Sequence, residues 1–179
     1  GPEMVGHVTC SPDDKRLAFL RIPPSSKKCQ VFVSDVNGAN LRQLTFSDTS
    51  NVYYPAWSPD GKQIAFESAA PGGLRALTVV SVDEGTTREV FRGHTPKDRF
   101  FDISWSPDGS KIGWTTDSEI RIGQVSNGKY HTFKVDMDAD VLGGPRWSPD
   151  GTRILFYTWS RVTQLMIMDN FLPQAKEGK

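Results

Sequence analysis

The chain has 179 residues, and its 21 Lys and Arg residues balance 21 Asp and Glu residues to a net charge of zero. A balanced charge gives no support for a nucleic-acid or acidic-membrane partner, since such partners select a basic excess. No apolar run approaches the roughly 18 residues of a membrane span, so we expect no membrane insertion. The length is sufficient for one domain with a buried core.

A five-residue motif recurs along the chain and sets its organisation. Trp-Ser-Pro-Asp-Gly begins at Trp57, Trp105 and Trp147, and a variant, Cys-Ser-Pro-Asp-Asp, begins at Cys10. The prolines of successive copies are about 47, 48 and 42 residues apart, a period typical of solenoids and propellers. The repeat therefore predicts an array of similar units in which most residues serve as scaffold.

The motif has the chemistry of a tight hairpin turn. Proline presets φ at the second turn position, serine and aspartate can bond to nearby backbone, and glycine takes the left-handed position. Asp14 replaces this glycine in the first copy and belongs to a residue type that tolerates the conformation. We expect structural roles at the repeat positions, with the tryptophans packing between units: Trp57, Trp105, Trp147, Pro59, Pro107, Pro149, Gly61, Gly109 and Gly151.

Each repeat has the pattern of antiparallel strands. One strand ends at the motif, a second follows it, a third comes next, and the first three repeats add a tight turn and a more polar fourth strand. The second strand carries two apolar residues around a residue that is small in three copies: Leu17/Phe19 around Ala18, Ile64/Phe66 around Ala65, Ile112/Trp114 around Gly113, and Ile154/Phe156 around Leu155. A bulky face can pack on the small face of a neighbouring sheet. The chain is therefore predicted to be all-β, with about fifteen strands in four antiparallel sheets.

The stretch from Trp57 to Phe66, Trp-Ser-Pro-Asp-Gly-Lys-Gln-Ile-Ala-Phe, resembles the repeat of TolB-type β-propellers, also called WD40-like or PD40. The resemblance covers nearly the whole chain. We place four blades at 5–45, 52–91, 99–134 and 141–170, forming a four-blade module over 1–170, with a polar C-terminal tail at 171–179. The resemblance also implies a bacterial protein with a periplasmic or otherwise extracytoplasmic location.

The number of blades leaves the closure of the propeller open. The resemblance implies a propeller of about six to eight blades, whereas this chain has four, and the last lacks its fourth strand. The chain is part of a longer propeller, half of an eight-bladed ring formed by two chains, or a compact four-bladed ring. Because the end blades would otherwise expose apolar faces, we expect a homo-oligomer, with a dimer favoured.

The connections between strands predict a binding face. Turns between strands one and two, and between strands three and four, emerge on one face and are short. The remaining connections emerge on the opposite face and vary in length and composition, as binding loops do. We expect this face to bind a protein partner of unknown identity, through Lys27, Lys28, Arg75, Arg92, His94, Lys97, Arg99, Asp136, Asp138, Asp140 and Arg161.

Catalytic, cofactor and metal motifs do not stand out in the sequence. The alternate carboxylates at 136–140 resemble the start of a calcium loop, but Val141 replaces the required glycine and no glutamate follows at the twelfth position. His7, His94 and His131 are not paired at ligand spacing. No nucleophile elbow or glycine-rich phosphate loop is present. We therefore expect a non-enzymatic scaffold without a cofactor.

Two other functions remain open, because a propeller fold does not fix function. TolB-like blades also occur in peptidase propellers and in oligogalacturonate lyases. The chain could therefore be the propeller portion of a hydrolase or lyase that gates or forms a substrate site. The second alternative is a purely structural, self-assembling repeat protein.

The two cysteines are too few for a disulfide framework. Cys10 stands where the other repeats have tryptophan, so we expect it to be a small buried hydrophobic residue. A Cys10–Cys29 bridge is the alternative, and it would indicate an oxidising compartment.

Overall fold

The computed structural model describes residues 5–47, 51–95, 97–116, 119–134, 141–159 and 164–169. Their strands form four antiparallel sheets, three with four strands and the last with three. The predicted all-β propeller of four blades is confirmed. The described residues include a single 3₁₀ turn at Pro71–Gly73 and no α-helix, and hence no helix able to cross a membrane.

The blades follow one another along the chain, and each is a meander of consecutive strands. Blade 1 contains β1 Val5–Cys10, β2 Arg16–Arg21, β3 Gln30–Asp35 and β4 Arg42–Gln43. Blade 2 contains β5 Tyr53–Trp57, β6 Gln63–Ala69, β7 Arg75–Ser81 and β8 Thr87–Arg92. Blade 3 contains β9 Phe101–Trp105, β10 Lys111–Thr115, β11 Glu119–Gln124 and β12 Tyr130–Lys134. Blade 4 contains β13 Val141–Trp147, β14 Arg153–Trp159 and β15 Gln164–Asp169.

The meander gives the propeller two different faces. Because neighbouring strands are antiparallel, the turns after the first and third strands of each blade lie at one end of the sheets, here called the turn face. The other connections lie at the opposite end, the loop face. The first strands are innermost, with β1 packed against β5, β5 against β9, and β9 against β13. No packing of that extent joins β1 to β13 within the described residues.

The repeated motif forms the predicted hairpin turn in all four blades. In blade 3, the hydroxyl of Ser106 donates to Asp108 Oδ1 at 2.5 Å and accepts the backbone N–H of Lys111 at 2.9 Å. The other three copies repeat both bonds. The last motif residue has a positive φ throughout, from 56° at Asp14 to 72° at Gly151. The left-handed position predicted for the glycines is therefore present in every blade.

These turn hydrogen bonds favour ionised aspartates. The serine hydroxyl is the main cause, with backbone N–H groups adding to it, and together they lower the pKa of Asp108 and of Asp150 to about 2. The pKa values of Asp13 and Asp60 are lowered in the same direction, again chiefly by the motif serine. The turn is thus strongest when its carboxylate is charged.

The tryptophans pack between blades, as predicted. Each indole N–H donates to a backbone carbonyl of the preceding blade: Trp57 to Thr9 at 3.2 Å, Trp105 to Ala56 at 3.1 Å, and Trp147 to Ser104 at 3.2 Å. The turns also touch one another, since a Cβ atom placed on Gly109 would lie 3.5 Å from Pro59 Cγ. The repeat positions therefore join neighbouring blades as well as closing hairpins.

The described core consists of three apolar clusters, one at each junction of consecutive blades. At the first junction Ile64 and Phe66 of blade 2 pack with Ala18 and Val31 of blade 1. The pairs Ile112/Trp114 and Ile154/Phe156 occupy the same place at the next two junctions. The predicted packing of bulky faces on small faces is confirmed.

The prediction of a buried Cys10 is wrong. Cys10 is exposed, and Cys10 and Cys29 are both free thiols, so no bridge joins them. Cys10 pairs with Leu17 of β2, whose side chain points away from that of the neighbouring Ala18. Since Ala18 faces blade 2, Cys10 lies on the side of blade 1 that none of the other described strands covers.

Candidate functional site

A cavity of about 430 Å³ lies on the central axis, between the first strands of the four blades. Each first strand contributes an ionisable side chain to its lining: His7 from β1, Tyr54 from β5, Asp102 from β9 and Arg146 from β13. Trp57 and Trp105, together with Pro55 of β5 and Pro12 of the first motif turn, supply apolar walls. A concave surface of apolar walls with a few convergent polar groups is the usual form of a binding site.

Three of these cavity side chains, those of His7, Tyr54 and Asp102, occupy one equivalent position of the repeat, where each first strand has a β-bulge. This position lies three residues before the tryptophan, or before Cys10 in blade 1. Its φ is 50° at His7, 56° at Tyr54, 49° at Asp102 and 65° at Gly144, and the strand register shifts around each. The left-handed conformation costs a non-glycine residue about 1–2 kcal/mol. The bulges redirect three side chains toward the central axis at this cost.

The bulge side chains contact one another or neighbouring backbone. The rings of His7 and Tyr54 are 5.1 Å apart, edge to face, and Tyr54 meets Phe101 in the same geometry at 5.5 Å. Asp102 Oδ2 accepts the backbone N–H of Gly144 at 3.1 Å, which links blades 3 and 4. The cavity wall is therefore continuous across the described blades.

Tyr54 stays a neutral phenol at ordinary pH. Burial is the main cause that raises its pKa; the guanidinium of Arg99 opposes this, and the carboxylates of Glu67 and Asp102 add to it. A neutral phenol can both donate and accept a hydrogen bond. Together with an imidazole, a carboxylate and a guanidinium, it suits the recognition of polar groups on a ligand.

Glu67 anchors the loop face between blades 2 and 3. Its side chain is fully buried and pairs with Arg99, whose Nη2 lies 3.0 Å from Oε1. Its Oε2 also accepts the backbone N–H of Phe100 at 2.7 Å. Arg99 in turn lies over the ring of Phe101 at 4.9 Å. A buried carboxylate with these partners fixes the start of blade 3 relative to blade 2.

Three of the predicted partner-binding arginines are engaged within the protein. Arg99 belongs to the Glu67 pair, and Arg75 Nε lies 3.9 Å from the same carboxylate. Arg92 forms an exposed pair with Glu89 at 2.7 Å. These three guanidinium groups therefore form ion pairs within the loop face. Of the three pairs, only that of Arg92 is exposed.

The loop between blades 2 and 3 is folded around Asp98. Its carboxylate accepts the backbone N–H groups of His94 at 2.8 Å and Thr95 at 2.9 Å, and pairs with Arg121 at 2.9 Å. Burial raises the pKa of Asp98, but the bonds from Thr95, Arg121 and His94 outweigh burial and lower the pKa below its ordinary value. Lys97 is exposed on this loop.

The remaining predicted residues fall in two groups. Lys27 is exposed, and Lys28 is half-buried beside a smaller cavity of about 270 Å³ that Tyr53 and Arg75 also line. The others lie outside the described residues: Asp136, Asp138, Asp140 and Arg161.

Tyr54 and Asp102 were not singled out from the sequence, and His7 was weighed only as a metal ligand. Their residue types form no catalytic or metal-binding motif with their neighbours in the sequence. The signal that could have found them is positional. When the repeats are aligned on the tryptophan, the bulge position holds His, Tyr, Asp and Gly beside otherwise regular strand residues.

Solved propellers share this fold. TolB from Acinetobacter baumannii superposes with a TM-score of 0.73 at 22% identity, covering 88% of this chain and 40% of that chain. An oligogalacturonate lyase in complex with manganese gives a TM-score of 0.74 at 21% identity, covering 96% of this chain and 49% of that one. Within the described residues, no group of three or more His, Cys, Asp or Glu side chains could hold a metal ion. The described side chains therefore do not fit a manganese centre built from such ligands.

Sequence comparison identifies the family. A TolB homologue from Chlorobium chlorochromatii is 33% identical over 144 residues, which make up 79% of this chain and 30% of the relative. This chain thus spans less than a third of that relative's length. A family model described as the TolB beta propeller domain matches residues 4–176. The chain therefore belongs to the TolB β-propeller domain family.

Proposed function

We propose that this chain is a non-enzymatic scaffold that binds a protein partner over its loop face, with the central cavity as the focus of the contact. The observation that carries the proposal is the set of bulges at His7, Tyr54 and Asp102, which direct three side chains into one cavity. Strained backbone positions of this kind cluster at binding sites and active sites.

The chemistry of the cavity suits a projecting peptide segment. Its phenol, imidazole, carboxylate and guanidinium can meet backbone amides and polar side chains, while Trp57 and Trp105 supply apolar contact. Such a mixture of aromatic walls and a few placed polar groups is typical of sites that hold part of a protein.

The rigidity of the surrounding loops also supports the proposal. Glu67, which is buried, and Asp98, which is half-buried, fix the loop between blades 2 and 3 through their hydrogen bonds and ion pairs. A surface ordered before binding loses less conformational entropy when the partner arrives. Two exposed lysines in connections of the loop face, Lys27 and Lys97, would attract an acidic partner surface and speed its association.

A selection from a phage-displayed library of random peptides tests the proposal. Peptides selected on the wild-type protein should bind a cavity variant, His7→Ala with Arg146→Ala, at least about tenfold more weakly, since both side chains are exposed cavity groups. The control is Lys15→Ala with Lys62→Ala, two exposed side chains of the turn face.

The control variant should bind the selected peptides as wild type does. Equal binding by the cavity variant, or loss of binding by the turn-face variant alone, would contradict the proposal. The unfolding temperatures of both variants should match that of wild type, so that a binding loss reports the cavity.

A further inference from the structure

The three junctions between consecutive blades follow one size rule. A tryptophan of the following blade lies over a small residue of the preceding blade: Trp57 with Ala18, Trp105 with Ala65 and Trp147 with Gly113. At the third junction the contact is close, since a Cβ atom on Gly113 would lie 3.6 Å from Trp147 Nε1. The rule has a steric basis, because a larger residue under the indole would push the blades apart.

Blade 4 breaks this rule on its open face. Leu155 occupies the position of Ala18, Ala65 and Gly113, as its pairing with Arg146 of the inner strand shows. Its side chain points away from the cluster that Ile154 forms with blade 3. The large apolar side chains of this face are between 36% and 69% exposed: Leu155, Tyr157, Leu165 and Ile167. A blade that brought a tryptophan to this face would collide with Leu155.

Blade 1 breaks the same rule in the opposite sense. Cys10 occupies the tryptophan position, and it is exposed beside the half-buried Leu17 and Phe19. These two side chains are the equivalents of Ile64 and Phe66, which pack on the preceding blade at the first junction. The open face of blade 1 therefore carries apolar side chains, with a small residue where a large one normally projects.

The two open faces are thus complementary to each other. Leu155 and Cys10 together have a volume close to that of Gly113 and Trp147 together. The larger residue now lies on the preceding blade and the smaller one on the following blade. Both faces are exposed in the same chain, so they do not cover one another within it. Burial of exposed apolar sheet surface favours association.

We propose that the open face of blade 4 docks on the open face of blade 1 of a second copy of this chain, with Leu155 packed over Cys10. Two such contacts, related by a two-fold axis, join the copies into one eight-bladed ring, a blade number within the usual range for propellers. Because Cys10 stands at the tryptophan position, the contact has no indole N–H to donate to the neighbouring blade, and a thiol is only a weak donor. The contact is therefore stabilised by burial of apolar surface. The proposal is independent of the partner-binding role of the loop face.

Light scattering coupled to size exclusion tests the association. Wild type at micromolar concentration should have about twice its chain mass of 19.9 kDa. Leu165→Asp, on the open face of blade 4, should reduce the mass to one chain, whereas Phe46→Asp, at another exposed apolar residue, should leave the dimer intact. A monomeric wild type, or a dimer that survives Leu165→Asp, would overturn the proposal and leave the face to further blades of a longer polypeptide.

A disulfide trap tests the register of the contact without disturbing the fold. In a Leu155→Cys, Cys29→Ser variant, mild oxidation should link native Cys10 of one copy to the introduced cysteine of the other. Covalent dimers should then run on a non-reducing gel and disappear with Cys10→Ser. A disulfide formed within single chains would overturn the proposal and indicate a closed four-bladed ring. No disulfide in a folded variant would exclude the proposed register.

A size exchange gives a third readout. Cys10→Trp alone should clash with Leu155, and Leu155→Gly alone should leave a gap over Cys10, so each should weaken the dimer. The double variant restores the arrangement seen between Trp147 and Gly113 and should recover the dimer. Additive losses in the double variant would contradict the Leu155–Cys10 contact.

Discussion

Replacing Glu67 by glutamine should lower the free energy of unfolding by about 2–3 kcal/mol. The buried carboxylate accepts bonds from Arg99 at 3.0–3.1 Å and from the backbone N–H of Phe100 at 2.7 Å. Glutamine keeps an oxygen for Phe100 but loses the charge that holds Arg99. Since the side chain of Arg99 is 29% exposed, it can regain part of its hydration, which keeps the loss below that of a fully buried pair.

The matched control is Glu89→Gln, which breaks the pair between Glu89 and Arg92. These side chains are 37% and 46% exposed, so the loss should be below about 1 kcal/mol. Urea unfolding, followed by tryptophan fluorescence, measures both variants. Free energies of unfolding that agree within about 0.5 kcal/mol would refute the assignment of Glu67 as the anchor of the loop face.

Three further predictions test the bulges, the turns and the blade packing. His7→Gly should be at least as stable as His7→Ala in thermal unfolding, because φ at this position is 50°. At the neighbouring Val8, the glycine variant should be about 0.5–1 kcal/mol less stable than the alanine variant. The same order of stability at both positions would contradict the backbone strain inferred at His7. The pKa of Asp108 is lowered to about 2, so its ionised form stabilises the fold above about pH 4, and this contribution is lost as the pH falls toward 2. In Asp108→Asn the urea midpoint should therefore decline less at acid pH than it does in wild type. A decline equal to that of wild type would contradict the role of the Asp108 carboxylate. Gly123→Ala should lower the free energy of unfolding by about 1–3 kcal/mol, because its Cβ would overlap the ring of the buried Phe91. An unchanged urea midpoint would show that the junction between blades 2 and 3 has room for the methyl group.

The fold could be predicted from the sequence because its information is local and repeated. The Trp-Ser-Pro-Asp-Gly copies encode a turn by residue type, and the apolar pairs around Ala18, Ala65 and Gly113 encode which sheet face meets the next blade. Four copies reinforce one another, so a degraded copy at Cys10 does not hide the pattern.

The candidate site could be predicted only in part, because it depends on contacts between distant residues. Glu67 and Arg99 are 32 positions apart, and the residues next to either one do not predict that the two form an ion pair. A bulge is defined by the register of the paired strand, so Tyr54 and Asp102 resemble ordinary strand residues until the sheets are assembled. The exposure of Cys10 likewise follows from which face of blade 1 has a neighbour.

Site-specific photocrosslinking tests the central claim, protein binding over the loop face, most directly. A photoreactive residue at the exposed Lys97 of the loop face is compared with the same residue at the exposed Lys62 of the turn face, each in a lysate of the source cells. The account predicts a discrete crosslinked protein from position 97 that position 62 does not yield, and that His7→Ala with Arg146→Ala abolishes. Crosslinking of the same protein from position 62 alone, or its survival in the cavity variant, would contradict the account.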